Sequence, residues 1–118
     1  MKVLVIGASM NTQRYSNKAV RLLQHTGHQV VALGSKNGEI EGIPIHTGTP
    51  QIEGIHTITI YLNPARQKPL HDYILSLKPK RLIFNPGTEN PELKQLSQKQ
   101  GIEVVENCTL VMLRSGIF

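Results

Sequence analysis

Short unbroken apolar runs alternate along this chain with stretches in which apolar residues recur every three or four positions. The first run, KVLVIG (Lys2 to Gly7), shows no polar alternation, the mark of a strand covered on both faces in a parallel sheet. Ala19, Leu22 and Leu23 then recur at helical spacing until Gly27 interrupts them, as a helix C-terminal glycine does. QVVALG (Gln29 to Gly34) repeats the strand signal, so the chain opens as β-α-β. HTITIYL (His56 to Leu62), RLIFN (Arg81 to Asn85) and IEVVE (Ile102 to Glu106) supply further strands. Between them, Asn63-Pro64 and Asn90-Pro91 each read as an N-cap followed by proline at the first helical position. Leu70, Tyr73, Ile74 and Leu77 mark the buried stripe of one of these helices; Leu93 and Leu96 mark that of the other, which Gly101 ends. CTLVMLRSGIF predicts a short closing turn or helix.

The stretch from Ser35 to Ile55 fits neither rhythm. Gly38, Gly42, Pro44, Gly48 and Pro50, with the Asn37-Gly38 dipeptide, argue against a full helix. Loops of this length are usually functional or carry short elements, and here IPIH reads as a strand fragment and PQIEGI as a single helical turn. Strands alternating with helices imply a parallel sheet with right-handed crossovers. The fold class predicted is α/β: a three-layer Rossmann-like fold with a five-stranded parallel sheet of order 3-2-1-4-5, in one domain over residues 1–118. A flavodoxin-like order is the competing topology. In either, ligands bind outside the carboxyl ends of the strands, beside the first strand. VIGASMNTQRYS, Val5 to Ser16, lies there.

Composition narrows the classes further. The 118 residues sit near the modal size of one domain, and 39% hydrophobic with 18% charged residues describes a globular chain. Its apolar stretches fall far short of the ~20 residues that span a bilayer, and the N-terminus has no signal-peptide layout, so a cytoplasmic protein with no membrane partner is expected. The single cysteine, Cys108, makes no internal disulfide or metal cluster and fits a reducing compartment. A net charge of +5 invites a nucleic-acid reading, but the basic residues are scattered and only two Phe and three Tyr are present for stacking. No nucleic-acid partner is expected; a small anionic ligand is served by the same charge balance.

The loops after the first two strands say which anion. A dinucleotide fold shows G-x-G-x-x-G after its first strand, whereas this chain keeps only Gly7 and offers Ser9, Asn11, Thr12, Arg14 and Ser16 instead. Arg14 can fork two phosphate oxygens. The second strand ends in Gly34-Ser35-Lys36, with no Asp or Glu for the ribose hydroxyls of NAD. Lys36 suits a phosphate on the adenosine ribose, as in NADP or coenzyme A, although a solvated loop lysine is the commoner state. His25, His28, His46, His56 and His71 show no metal-ligand spacing, and Glu89 and Glu92 sit where negative charge suits a helix dipole. No nucleophile, base and orienting group converge, so no catalytic or metal residue is assigned and a binding module ranks above an enzyme.

VIGAS-N--RYS in the first loop, ALG-K-GEI-G-PI after the second strand, LNP after the third, NPGTENPEL after the fourth and VVE-CTLVML at the end together resemble the small CoA-binding domain proteins. The likeness runs from Lys2 to about Leu113, and the fold it implies is that of the CoA-binding domain of the succinyl-CoA synthetase alpha subunit. The ligase activity of that enzyme depends on a histidine in a second domain and is not implied. By the resemblance, Gly7, Ser9, Asn11, Arg14 and Ser16 hold the diphosphate of coenzyme A, with Ala8 and Tyr15 in the same loop, and Gly34 and Lys36 take the adenosine-ribose end. Asn63 and Pro64 line the groove, and Asn85, Pro86 and Gly87 form the wall toward pantetheine. The family loop often has proline after the asparagine, where this chain has Thr12. Cys108, after the fifth strand, either meets the pantetheine thiol or is a small buried apolar residue. The alternative is a small NADP-binding oxidoreductase component. The partner expected is a small nucleotide ligand; the apolar tail Ile117-Phe118 reads as a homodimer contact, a packed terminus or a frayed end.

Overall fold

Each apolar run read as a strand forms one in the computed structural model, which describes residues 1–118. In chain order the elements are β1 (Lys2–Ile6), α1 (Tyr15–His25), β2 (Gln29–Leu33), β3 (Gly38–Ile40), β4 (Ile43–His46) and β5 (Thr57–Ile60). There follow α2 (Pro64–Gln67), a 3-10 turn (Lys68–Leu70), α3 (His71–Ser76), β6 (Arg81–Phe84), α4 (Pro91–Lys99), β7 (Glu103–Glu106) and α5 (Thr109–Arg114).

The sheet corrects the five-stranded order 3-2-1-4-5. It has seven strands in the order β3-β4-β2-β1-β5-β6-β7, and β3 runs antiparallel to β4 while the other pairings are parallel. The strand beyond β2 is β4, the IPIH segment, which pairs through Ala32 with Ile45 and Leu33 with His46. The run HTITIYL instead becomes β5, on the far side of β1, with Val5 opposite Thr59. Counted over its parallel strands alone, the sheet has the Rossmann order 3-2-1-4-5-6. The chain reaches β4 through a hairpin in place of a helix. Its two loop residues, Glu41 and Gly42, both take positive φ (47° and 85°), the geometry that matches strand twist in two-residue turns. Pro44 has no N–H to give a ladder and breaks the apolar run, which is why β4 reads weakly as a strand.

Alternation along the strands divides the core into two. Leu4, Ile6, Ile58, Ile60, Leu82 and Phe84 face Ile74 of α3 and Leu93 of α4. Val3, Val5, Ala32 and Ile45 face Val20 and Leu23 of α1, with Leu113 of α5 at the margin. Two helical layers therefore cover one sheet. Each fully buried Leu, Ile or Val adds roughly 1.5–3 kcal/mol over exposure, so these faces dominate the stability. Leu96, expected to face inward, is 36% exposed; Ser97 takes the buried position on α4. Under α5 the interior is polar and bonded: Asn85 Nδ2 donates to Thr59 Oγ1 (2.7 Å) and the Ile60 carbonyl (2.9 Å), and Asn85 Oδ1 accepts from Thr109 N (2.8 Å). No helix is long and apolar enough to cross a membrane.

Candidate functional site

Because the chain runs outward from β1 to β2 and β4, then returns to β5 on the other side of β1, the loops leaving β1 and β5 diverge at their carboxyl ends. Such a switch point leaves a crevice. Here it is a cleft of ≈ 470 Å³, lined by residues that follow β1, β2, β5 and β6.

One wall is the loop from Gly7 to Arg14. It leaves β1 with Gly7 at φ 94°, and both Gly7 N and Ala8 N donate to the Leu33 carbonyl at 2.9 Å. The loop thereby lies against the end of β2, so close that a Cβ on Gly34 would stand 2.4 Å from the Ala8 carbonyl oxygen. Glycine at 34 is a requirement of this approach. Beyond it the loop holds its own shape: Asn11 N donates to Ser9 Oγ (3.1 Å), Gln13 N to Asn11 Oδ1 (3.0 Å), and buried Asn17 donates through Nδ2 to the Ser9 carbonyl (2.8 Å). Arg21 Nε in turn donates to Asn17 Oδ1 at 2.7 Å.

Arg14 occupies the N-cap of α1, where no side chain caps the helix and no acidic residue stands in the first turn. The first amide to bond back is Lys18 N, to the Arg14 carbonyl at 3.2 Å, so the amides of Tyr15, Ser16 and Asn17 stand ahead of the helical ladder. Uncapped amides and the helix dipole favour an anion at this end. Ser16 is buried and lines the cleft; Tyr15 lines it while 68% exposed, with Lys18 Nζ 5.4 Å from its ring centroid.

The opposite wall comes from Tyr61, Leu62, Arg66 and Leu70 after β5, and Pro86 and Thr88 after β6. Asn63 caps α2 by accepting from Arg66 N at 3.0 Å. Gln67, 1% exposed, donates through Nε2 to the carbonyls of Leu62 (2.8 Å) and Thr88 (2.7 Å), tying the two halves of the wall. Asn90 caps α4 with Oδ1, which accepts from Leu93 N (3.1 Å), and so turns Nδ2 toward Gln67 Oε1 (3.0 Å) and His71 Nε2 (3.2 Å). With Asn90 oriented by its cap, His71 Nε2 is the acceptor of that pair. The Tyr61 hydroxyl, buried beside Thr59 and Thr109, makes no well-formed hydrogen bond. Burial, and Cys108 nearby, push its phenol far above the ordinary tyrosine range, so it stays protonated.

Of the residues singled out from sequence, Gly7, Ala8, Ser9, Arg14, Tyr15, Ser16, Gly34 and Pro86 line the cleft. Asn11, Lys36, Asn63, Pro64, Asn85, Gly87 and Cys108 do not. Asn11 shapes the loop, Asn63 and Pro64 start α2, and Asn85 staples β6 to β5 and α5. Lys36 is exposed, next to the lining residue Ser35. Cys108 is half-buried at the N-cap of α5, its amide bonded to Asn107 Oδ1 at 2.7 Å. Ser35, Tyr61, Leu62, Arg66, Leu70 and Thr88 are lining residues that sequence reading passed over. Arg66 carries a signal in its position, since it stands three residues after the Asn63 cap and therefore in the first helical turn at this sheet edge. No carboxylate lines the cleft, whereas Arg14 and Arg66 both do. Neither guanidinium has a hydrogen-bond or ion-pair partner within the fold; the ion pairs are His25–Glu41 and Lys94–Glu106. No group of three His, Cys, Asp or Glu residues is placed to hold a metal ion.

Solved structures share this architecture. An uncharacterized protein is 50% identical with a TM-score of 0.96, over 99% of this chain and 97% of that one. The Thermus thermophilus protein cell-free ID.343 is 20% identical with a TM-score of 0.87, over 99% and 90% of the two chains. A conserved hypothetical protein from Pyrococcus furiosus is 25% identical with a TM-score of 0.80, over 93% and 97%. No curated protein matches this chain. The sequence pattern of the CoA binding domain matches residues 1–114, spanning both walls of the cleft and every strand. The chain belongs to the CoA-binding domain family.

Proposed function

We propose that this protein binds coenzyme A, with the diphosphate at the N-terminus of α1 between the Gly7–Ser16 loop and the opposite wall. The observation that carries the reading is the charge of the cleft: two guanidinium groups without protein partners, an uncapped helix N-terminus, and no carboxylate among the lining residues. A dianionic diphosphate satisfies all three at once, since charge-assisted hydrogen bonds from Arg are the strong ones and the helix amides cost nothing to orient. Gly7 and Gly34 let the first loop pack closely against Tyr61 and the end of β2, which holds this wall of the cleft in place. The ≈ 470 Å³ cleft falls within the range of small-ligand sites, and the 3′-phosphate of the adenosine end is assigned to Lys36, exposed one residue beyond the lining Ser35. When bound, coenzyme A supplies a thiol that carries acyl groups. No pair of lining residues forms a nucleophile and base, so the role assigned is binding.

Calorimetry with coenzyme A, dephospho-coenzyme A, NADP and NAD tests this reading. Coenzyme A should bind tightest, dephospho-coenzyme A more weakly, and Lys36→Ala should erase the difference between them. Equal affinity for those two ligands in the wild type would remove Lys36 from the site. Tighter binding of NADP than of coenzyme A would replace the reading with an oxidoreductase component.

A further inference from the structure

The segment that bears Arg14 has little packing to hold it. Met10 through Tyr15 are all exposed, so polar contacts fix the path of the loop. Arg14 N donates to the Asn11 carbonyl at 3.0 Å, closing a tight turn that delivers Arg14 to the N-cap of α1. Further contacts around this turn come from one side chain farther along the helix. Arg21 Nε donates to Asn17 Oδ1 at 2.7 Å, and Arg21 Nη2 donates to the Thr12 carbonyl at 3.3 Å. Asn17, 2% exposed, passes the constraint on through Nδ2, which donates to the Ser9 carbonyl at 2.8 Å. Arg21 itself is half-buried, does not line the cleft and has no carboxylate partner.

The oxygen and nitrogen of a buried asparagine amide fill nearly the same space, but only one orientation of Asn17 suits Ser9. Reversed, the amide would set its oxygen against the Ser9 carbonyl, acceptor against acceptor with no proton between them. The Arg21 guanidinium donates and cannot accept, so it holds the Asn17 oxygen on its own side and leaves the Nδ2 donor for Ser9. Its other bonded nitrogen reaches past Asn17 to Thr12, inside the turn. Resting on the coenzyme A reading above, we propose that Arg21 is a positioning residue for the diphosphate: it touches no ligand, but through Asn17 and Thr12 it sets the Ser9–Arg14 segment in its binding shape before the ligand arrives. A loop already ordered loses less conformational freedom on binding, and the difference appears as affinity. The contribution is shape more than charge, because the planar guanidinium spans both acceptors where a lysine ammonium is a point charge.

The test pairs Arg21→Lys, which keeps the charge and loses the planar fork, with a proline that orders the loop by another route. Thr12 is the second residue of the turn and its N–H donates no hydrogen bond, so Thr12→Pro fits there and restricts the unfolded loop. In calorimetry, Arg21→Lys should bind coenzyme A ~3- to 10-fold more weakly than wild type, the scale of one hydrogen bond. Thr12→Pro added to that variant should recover most of the loss, and Thr12→Pro alone should change little. Amide hydrogen exchange in the unliganded proteins gives a readout that needs no ligand. Arg21→Lys should speed exchange at Asn11, Gln13 and Arg14, whose amides bond within the loop, and leave the β1 and β5 amides at wild-type rates. Wild-type affinity in Arg21→Lys would reduce the residue to its charge and overturn the proposal. So would a loss that Thr12→Pro does not recover, or faster exchange across every strand, which would make Arg21 a residue of general stability. Wild-type protein that does not bind coenzyme A would remove the underlying reading, and this one with it, even with the exchange pattern as expected.

Discussion

Gly34 shows how one position constrains both fold and site. Gly27 and Gly34 are both glycines, but a Cβ on Gly27 meets nothing within 4 Å, whereas one on Gly34 would lie 2.4 Å from a backbone oxygen and 2.9 Å from Ile45 Cγ2. Backbone cannot move aside as the end of a side chain can. Gly34→Ala should therefore cost roughly 1–3 kcal/mol in urea unfolding, the range of an overpacked site, and should displace the first loop. A Gly34→Ala protein with wild-type stability would show that the loop does not lie against β2. At this scale the sequence was informative about the first loop and less so about the rest. Arg14, Ser16 and Gly34 all line the cleft. Asn85 looked equally available, yet its amide is consumed by Thr59, Ile60 and Thr109, because a buried asparagine must satisfy its own polar atoms before any ligand's.

Among elements, the wall built by α2, α3 and the start of α4 depends on one side chain more than on any helix propensity. Asn90 caps α4 and also supplies the donor for Gln67 Oε1 and His71 Nε2, both buried. Asn90→Ala removes a cap and leaves two buried acceptors unpaired. It should destabilise by roughly 2–4 kcal/mol in denaturant titration. A loss under about 0.5 kcal/mol would mean that the network does not persist in solution. Sequence reading found Asn90 as a cap through the Asn-Pro pair, but the link to Gln67 and His71 spans more than one element and leaves no local pattern. The same limit explains β4. Its partner β2 lies on the other side of the β3 hairpin, and Pro44 interrupts the one apolar run that could have announced it. Read as a fragment, IPIH leaves the position beyond β2 to HTITIYL, whereas the structure gives that position to β4 and sets β5 across β1.

For the molecule as a whole, the amino-terminal edge of the sheet gathers positive charge. Arg81, 8% exposed, donates to Thr57 Oγ1 at 3.1 Å and lies 4.5 Å over the Phe118 ring, which also packs edge-on to His28 at 5.2 Å. The aromatic end of the tail is thus packed on its own chain, while Ile117 is 61% exposed. His28 and His56 are both held below the ordinary histidine value of 6.5. Burial is the main cause in each; the N-terminal ammonium adds to it at His28 and Arg81 at His56. A histidine with a depressed folded pKa binds fewer protons than in the unfolded chain, so stability falls as pH drops below 6.5 and is level above it. The urea midpoint should be lower at about pH 5.5 than at about pH 7.5, and the double variant His28→Gln, His56→Gln should narrow the gap. An unchanged gap would exclude these two groups as its source.

The cleft lies at the opposite edge of the sheet, and the central claim is that its Gly7–Ser16 loop holds the diphosphate of coenzyme A. Isothermal titration of coenzyme A into wild-type and Arg14→Ala protein tests that claim most directly. Arg14 is exposed and caps nothing with its side chain, so the substitution should leave the fold intact while removing the guanidinium. The account predicts saturable binding by the wild type and a loss of ~1.5–3 kcal/mol in the variant, about 10- to 150-fold in affinity. Equal affinity in the two proteins would contradict it.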